Sequence, residues 1–459
     1  MIDFYETAVR QKKNFVIWGV GKYMKDSVHR INPDITISHL CDSNPNLWGK
    51  EYDINNKKVK CIEPDKLSEK DLVMIACQSV DGYRSITEYL KTKGISYCHI
   101  NDAIQAYIDE YEQNEISKYD EIMCNVEEPG NPDIIKCFIN VSVPIDFCNL
   151  QCQYCYVGQH NDFFPKKVIY HSVEFIRRAL SRKRIGGTAF INFCGTGETL
   201  LCKEITGVIH ELIKEGHYCS IITNAICDNA IDLLLKDDCE KLFFKCSFHY
   251  LELKRKNLLE KFANNVRKML NAGASVSVEL VPHDELIPYI DEIKDFSIKQ
   301  FGALPHLTVA RDETTEEMDI LSDLNREQYI DTWKTFDSCM FDFKINNMTK
   351  PNHYCIAGKG TFLMNLDNGG AIQCPGNCGL KNIYKEIYLP IDNEEIGENC
   401  KCKYCRNSHA YFTMGMVKEI ECISYLDIRD RECIDKRHWI NGKMRKIMQQ
   451  RICDNLGDN

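Results

Sequence analysis

No stretch of this 459-residue sequence approaches the roughly 18–20 consecutive apolar residues that cross a bilayer, so no membrane span is expected. An excess of basic residues is missing as well. Lys plus Arg number 57 against 67 Asp plus Glu, a formal net charge of -10. Nucleic-acid binding needs a basic footprint, so nucleic acid is not expected as a partner. Met1–Arg10 contains acidic residues and no apolar core of a secretory signal. Internal repeats and low-complexity segments are lacking too. What remains is ordinary for a soluble globular chain, 44% hydrophobic and 27% charged. At roughly 100–200 residues per domain, the length suggests two to four domains.

Cysteine is what the sequence has in abundance, with 25 residues. Disulfide frameworks belong to short secreted chains with a signal peptide. The expectation here is a cytoplasmic, reducing location, where clustered cysteines read as metal ligands. Scattered ones such as Cys77, Cys219 and Cys246 lie in apolar runs and read as small core residues.

Three regions separate. Residues 1–102 open with an apolar run, Asn14–Trp18, a Gly19-Val20-Gly21 turn and a helical stretch to about Ile31. A second strand, Ile35–Cys41, ends at Asp42, and Asp71–Cys77 is a further apolar run. This is the pattern of a Rossmann-like unit, with an acid where a ribose partner stands. Met24 replaces the third glycine, so a small α/β domain without a dinucleotide is an equal reading. Residues 103–135 form a polar, acid-rich helical linker ending in Pro129-Gly130-Asn131-Pro132.

Residues 136–335 alternate strand and helix. The strands are expected at Phe138–Val143, Ala189–Phe193, Tyr218–Thr223, Leu242–Phe248, Ser275–Val281 and His306–Val309. Helices are expected at Ser172–Ser181, Lys203–Glu215 and Lys256–Asn271. Six such units predict a parallel sheet or partial barrel with its site at the carboxyl ends of the strands. Residues 336–459 are cysteine-dense. They contain a hairpin signal, Thr361–Leu366, Asp367-Asn368-Gly369-Gly370 and Ala371–Gln373, and a basic helical tail from Lys436 to Arg451.

Cys148, Cys152 and Cys155 follow the first strand with the spacing C-x3-C-x2-C. Three neighbouring thiolates can ligate a [4Fe–4S] cluster and leave one iron open, as a catalytic metal requires. Zinc, with His160 as a fourth ligand, is the competing reading. Phe193-Cys194-Gly195-Thr196-Gly197-Glu198-Thr199-Leu200 ends the second strand, Thr223-Asn224 the third and Ser247-Phe248-His249 the fourth. This series, with Tyr154 just before the third cysteine, resembles the radical S-adenosylmethionine (SAM) superfamily over roughly residues 136–310.

The resemblance implies a partial (β/α)6 TIM-like barrel and a [4Fe–4S] cluster that chelates SAM. Its ligands would be Cys148, Cys152 and Cys155, and the SAM-contacting set would be Tyr154, Thr196, Gly197, Glu198, Asn224 and Ser247. Cleavage of SAM by an external electron donor, such as flavodoxin or ferredoxin, would yield a 5′-deoxyadenosyl radical that takes a hydrogen atom from the substrate. Thr196, Thr199 and Ala225 depart from the superfamily's Gly-Gly-Glu-Pro and Thr-Asn-Gly patterns, while Glu198 is retained. No catalytic base is assigned: His249, His283, Asp284 and Arg311 fall near strand ends, and Cys194 and Cys246 read as buried core thiols before hydrogen donors.

Further on stand Cys355, Gly369, Cys374, Cys378, Cys400, Cys402 and Cys405. Spacing alone suits zinc or an iron–sulfur cluster equally. The C-x13-G-x4-C opening resembles the SPASM/Twitch extension of radical SAM enzymes, and Cys422 and Cys433 stand too far off for the full two-cluster form. The resemblance implies one auxiliary [4Fe–4S] cluster on Cys355, Cys374, Cys402 and Cys405, with Cys378 and Cys400 as spares. It also implies a small-molecule substrate, a sugar or nucleotide-sugar, because residues 1–102 resemble the Rossmann-like domain ahead of some sugar-nucleotide-modifying enzymes. The alternatives are a maturase acting on a ribosomally made peptide, and a non-catalytic iron–sulfur or zinc protein.

Overall fold

The structure, a computed structural model, describes residues 13–145, 147–155, 157, 169–312, 314, 318–347, 353–377 and 379–456. The chain divides into two compact units, Met1–Glu115 and Ile116–Asn459.

The first unit holds β1 (Asn14–Trp18), β2 (Ile37–Cys41), β3 (Glu51–Ile54), β4 (Lys57–Ile62), β5 (Asp71–Ile75) and β6 (Ser96–His99). Their order is β3-β4-β2-β1-β5-β6, parallel except for the β3–β4 hairpin. Val16, Trp18, Cys41, Val73 and Ile75 form its core with Leu90 and Ile95. The strand order reverses at β1, the place where such sheets open a crevice. Gly19 sits there at φ +109°, and a Cβ would stand 2.6 Å from the Ala76 carbonyl oxygen, so only glycine fits. Asp42 accepts from the Val20 N–H at 3.0 Å and from the Asn44 N–H at 2.9 Å. Its carboxylate therefore ties the glycine turn to the end of β2.

The second unit is built on β7 (Ile135–Val143), β8 (Thr188–Gly195), β9 (Tyr218–Thr223), β10 (Leu242–Ser247), β11 (Ser275–Leu280) and β12 (His306–Leu307). These pair in parallel and in sequence order. Helices such as Ile205–Glu215 and Leu259–Asn271 lie between them and bury one apolar face, for example Val208, Ile209 and Leu212. From the cysteine-dense region, β13 (Thr361–Asn365) adds in parallel beside β7, followed by antiparallel β14 (Ala371–Ile372) and β15 (Gly379–Leu380). β12 and β15 are the two ends of this nine-stranded sheet, so the barrel is partial and open.

Register sorts the inner face into layers, because paired residues point to the same side. Phe138, Phe190, Tyr218 and Phe243 form an aromatic floor, and Tyr425 of the C-terminal segment packs against Phe138 and Phe190. Above it lie Asn140, Asn192, Ser220, Lys245 and Ser277. Asn192 donates to Asn140 Oδ1 at 3.1 Å, and the Ser220 hydroxyl donates to Asn192 Oδ1 at 3.1 Å. Ser142, Cys194, Ser247 and Glu279 stand nearest the carboxyl ends. The basic tail forms a shorter helix than expected, Gly442–Met448, docked through Met444, Ile447 and Met448. Gln449 follows as C-cap, and Gln450 turns back to bond the Ile135 N–H.

His217, fully buried before β9, accepts from the Ala189 N–H at 3.0 Å and pairs its Nε2 with the Leu180 carbonyl at 2.8 Å. Burial pushes its pKa down to about 4. Above pH ~6.5 neither folded nor unfolded chain is protonated there. Below it the unfolded chain gains a proton that the folded one refuses, down to the folded pKa. Stability should therefore fall by about 1.4 kcal/mol per pH unit in that window. The urea midpoint of the wild type should drop more steeply between pH 6.5 and 4.5 than that of His217→Gln; parallel slopes would refute the assignment.

Candidate functional site

The loop carrying Cys148, Cys152 and Cys155 leaves the end of β7 and is pinned on two sides. On one side it crosses the turn after β8. The Gly197 N–H donates to the Ile145 carbonyl at 2.9 Å, the Glu198 N–H to the Phe147 carbonyl at 3.0 Å, and the Thr196 hydroxyl to the Ile145 carbonyl at 2.6 Å. A Cβ on Gly197 would stand 2.1 Å from the Phe147 carbonyl oxygen. Glycine is required there because two backbones touch. On the other side, Glu252 accepts from the Gln151 N–H at 3.0 Å, and Lys256 donates to the Asn149 carbonyl at 2.9 Å. Nothing in the sequence singled out Asn149, Glu252 or Lys256; they are ordinary polar residues whose role exists only once β7 and β10 are brought together.

Glu198 is 3% exposed. It accepts from the Leu200 N–H at 3.0 Å, the Thr223 hydroxyl at 2.6 Å and the Asn224 N–H at 2.6 Å. Burial raises its pKa, against the pull of these three bonds. The carboxylate thus clamps the end of β8 to the end of β9. Asn224 turns its side chain to Asn149 Oδ1 at 2.6 Å and to Cys148 Sγ at 3.9 Å. Ser247 ends β10 on the inner face.

The three thiols act on one another electrostatically. Burial raises Cys148, with Glu198 and Cys155 adding to it, and pushes Cys152 up to about 12. Cys148 Sγ also accepts from the Leu150 N–H at 3.5 Å. Tyr154 bonds its hydroxyl to His249 Nδ1 at 2.7 Å and lays its ring 4.3 Å from that of His283. Burial pushes both histidines down to about 4, so they stand neutral over the cysteine loop. Asp284 instead accepts from the Ser322 hydroxyl and the Asp323 N–H, holding a loop. His160 and Cys378 lie outside the described residues.

The second cysteine group also comes together. Cys355, Cys374, Cys402 and Cys405 line one pocket with Cys400, His353, Pro375 and Tyr411. The Asn377 amide donates to Cys374 Sγ at 3.0 Å and to Cys402 Sγ at 3.1 Å. Burial pushes Cys355 up to about 11 and Cys374 to about 12. Gly369 is at φ +70° with the Tyr384 ring 2.5 Å from where a Cβ would be, so the hairpin turn that brings Cys374 back needs glycine. Cys433 is buried beside Phe301 and Cys422 is exposed, neither of them in this pocket. Among the described residues no three Cys, His, Asp or Glu side chains converge closely enough to hold a single metal ion.

Comparison with known proteins bears on the first group. Residues 142–296 match the family described as the Radical SAM superfamily. No curated protein matches the chain. Among solved structures it is similar to Streptococcus suis SuiB bound to S-adenosylmethionine, at 14% identity, covering 67% of this chain and 74% of that one, with a TM-score of 0.40. It is also similar to native anSMEcpe with bound AdoMet and Cp18Cys peptide, at 13% identity, covering 70% and 91%, with a TM-score of 0.40. The matched segment begins within β7 and contains the three-cysteine loop, the Glu198 turn and the ends of β9 and β10, so over residues 142–296 this chain matches the Radical SAM superfamily, a family whose cofactors are a [4Fe–4S] cluster and SAM.

Proposed function

We propose that the chain is an enzyme that cleaves SAM at a cluster held by Cys148, Cys152 and Cys155 and uses an auxiliary [4Fe–4S] cluster held by Cys355, Cys374, Cys402 and Cys405. The observation that carries this reading is the cysteine loop bonded directly to the Glu198 turn. The donor set fits the group: three thiols of one loop, exposed at Cys148 and half-buried at Cys152 and Cys155, with the Leu150 N–H and the Asn224 amide donating to Cys148 Sγ. When bound, the cluster supplies the electron that splits SAM, and the 5′-deoxyadenosyl radical takes a hydrogen atom from the substrate.

The protein's part is position and exclusion of water. Glu198 acts by fixing the turn against Thr223 and Asn224, so that Thr196, Gly197, Asn224 and Ser247 present a constant surface to the methionine end. Tyr154, locked by His249 and His283, closes the loop from the β10–β11 side. The substrate is a small molecule, and the Rossmann-like first unit supports a nucleotide-linked carbohydrate. Cys355, Cys374, Cys402 and Cys405 would together supply four thiolates to the auxiliary cluster, and a cluster so held would supply electron transfer rather than a site for substrate.

Anaerobic reconstitution should load about eight irons per chain and yield 5′-deoxyadenosine from SAM under strong reductant. Cys402→Ala or Cys405→Ala should retain that cleavage and lose product; if product survives, the second cluster is structural. Zinc with no cleavage would sink the reading. Stimulation of 5′-deoxyadenosine formation by a nucleotide sugar supports the small-molecule substrate, and stimulation by a peptide alone replaces it with a peptide maturase.

A further inference from the structure

The middle of the barrel interior holds more positive charge than it can balance. Lys245 projects from β10 inside the run Leu242-Phe243-Phe244-Lys245-Cys246 and is 6% exposed. No described residue offers its ammonium a hydrogen bond or an ion pair. Lys344, on the helix Cys339–Asn347, donates to the Thr308 hydroxyl at 2.6 Å just past β12. Arg429, 2% exposed, enters from the C-terminal segment, pairs with Glu279 of β11 and stacks 5.1 Å from the Tyr425 ring. Among the described residues Glu279 is the one carboxylate that acts on both lysines, and it acts on Arg429 as well. Three cations thus share one anion.

Arginine cannot relieve this by losing a proton, and an unbalanced buried charge is expensive unless paired. Burial and the neighbouring Arg429 push Lys245 down to about 7, and burial with Arg429 and Arg311 pushes Lys344 to about 7. The same layer also holds buried polar atoms without a partner among the described residues: Arg429 Nε, Ser277 Oγ and Asn140 Nδ2. A donor-rich surface of this kind is complementary to an anion.

Its location points to substrate. Cys194, one residue from the Glu198 turn's first glycine, feels both Lys245 and Glu198. His409, four residues after Cys405, likewise feels Lys344, Arg429 and Lys245. The charged layer therefore lies within electrostatic range of the strand end before the Glu198 turn and of the segment that follows Cys405.

We infer that Lys245, Lys344 and Arg429 around Glu279 receive an anionic oxygen-acid group of the substrate, a carboxylate or a phosphate ester, and so aim the carbon next to it toward the Cys148–Glu198 end of the barrel. The inference rests on the radical SAM reading for the word substrate, and on the interior charges for the word anionic.

The test is calorimetric titration of the reconstituted holoenzyme at fixed ionic strength with inorganic phosphate, acetate and neutral glycerol, alongside a 5′-deoxyadenosine assay on the same preparation. Phosphate or acetate should saturate one site and glycerol none; which anion saturates separates a phosphate ester from a carboxylate. Lys245→Met should weaken that binding by about thirtyfold or more, and Lys245→Arg should largely restore it. Lys344→Met serves where Lys245→Met does not fold, and Lys214→Met, on the exposed pair with Glu211, should bind as the wild type does. No saturable anion binding, or binding unmoved by loss of either lysine, overturns the inference. If SAM is cleaved and no anion saturates, the inference fails and the radical SAM reading stands; if an anion saturates and no 5′-deoxyadenosine forms, the reading fails and the anion site stands.

Discussion

Replacing Cys152 with alanine should abolish 5′-deoxyadenosine formation and remove about four of the irons, leaving a folded chain. The thiol lies in a loop held by backbone bonds from Ile145, Phe147, Asn149 and Gln151, none of which involves its sulfur, so the loop keeps its anchors. On the proposed assignment, what is lost is one of three ligands on a centre that has no spare. Asn224→Ala provides the scale. Asn224 reaches Cys148 Sγ and Asn149 from outside the ligand set, and loss of an outer partner of this kind costs about 10–100-fold in affinity or activity. Loss of the ligand should exceed that, at no activity above background. Iron and sulfide counts, electron paramagnetic resonance of the reduced protein and the 5′-deoxyadenosine assay together check it. A Cys152→Ala protein that still cleaved SAM would show that the cluster sits elsewhere.

Glu279→Gln should strongly destabilise the fold from inside the barrel. The wild-type carboxylate is drawn two ways: burial works to raise its pKa, but Arg429, Lys245 and Lys344 together pull it below the usual carboxylate range. Its stabilising effect is therefore present above the unfolded carboxylate pKa of about 4.3 and fades as pH falls through the lower folded value. Glutamine keeps the shape and removes the charge, which leaves Arg429 buried among lysines. Removing one partner of a buried pair costs about 3–5 kcal/mol. The lysines can shed protons, so the deficit should shrink as pH is raised from 6 to 9. Urea unfolding at several pH values measures both effects. A loss under about 1 kcal/mol, the scale of an exposed pair, would mean that the interior is already wet enough to solvate the arginine. A deficit that grew with pH would contradict the charge balance drawn for the layer.

Several parts of this architecture are legible in the sequence. The strands Asn14–Trp18 and Tyr218–Thr223 appear as expected, and the others in the series differ by a few residues at their ends. β7 starts earlier, because Ile135 and Cys137 continue its apolar alternation after Pro132. β12 is only two residues long, where the sequence suggested four. The β3–β4 hairpin is not legible in the sequence, because its charged alternation, Lys57-Lys58-Val59-Lys60, resembles a solvated loop. Lys245 was in plain view as a lysine in an aromatic run, but a single charge in a strand has no partner until register is known.

By itself the sequence determined the order of elements, the two cysteine groups and the turn that serves the first of them. Those are local matters: apolar period, glycine placement and cysteine spacing act over a few residues. Only the tertiary structure decided that β13 of the cysteine-dense region joins the same sheet as β7, that Cys400 shares the pocket of the other four thiols, that Glu198 spends its oxygens on Thr223 and Asn224, and that Lys245, Lys344, Arg429 and Glu279 meet. Those residues lie up to 184 positions apart (Lys245 to Arg429). What joins them is the parallel register of β10 and β11 and the return of the C-terminal segment over the aromatic floor, and charge balance, unlike period or spacing, is a property of the space they enclose.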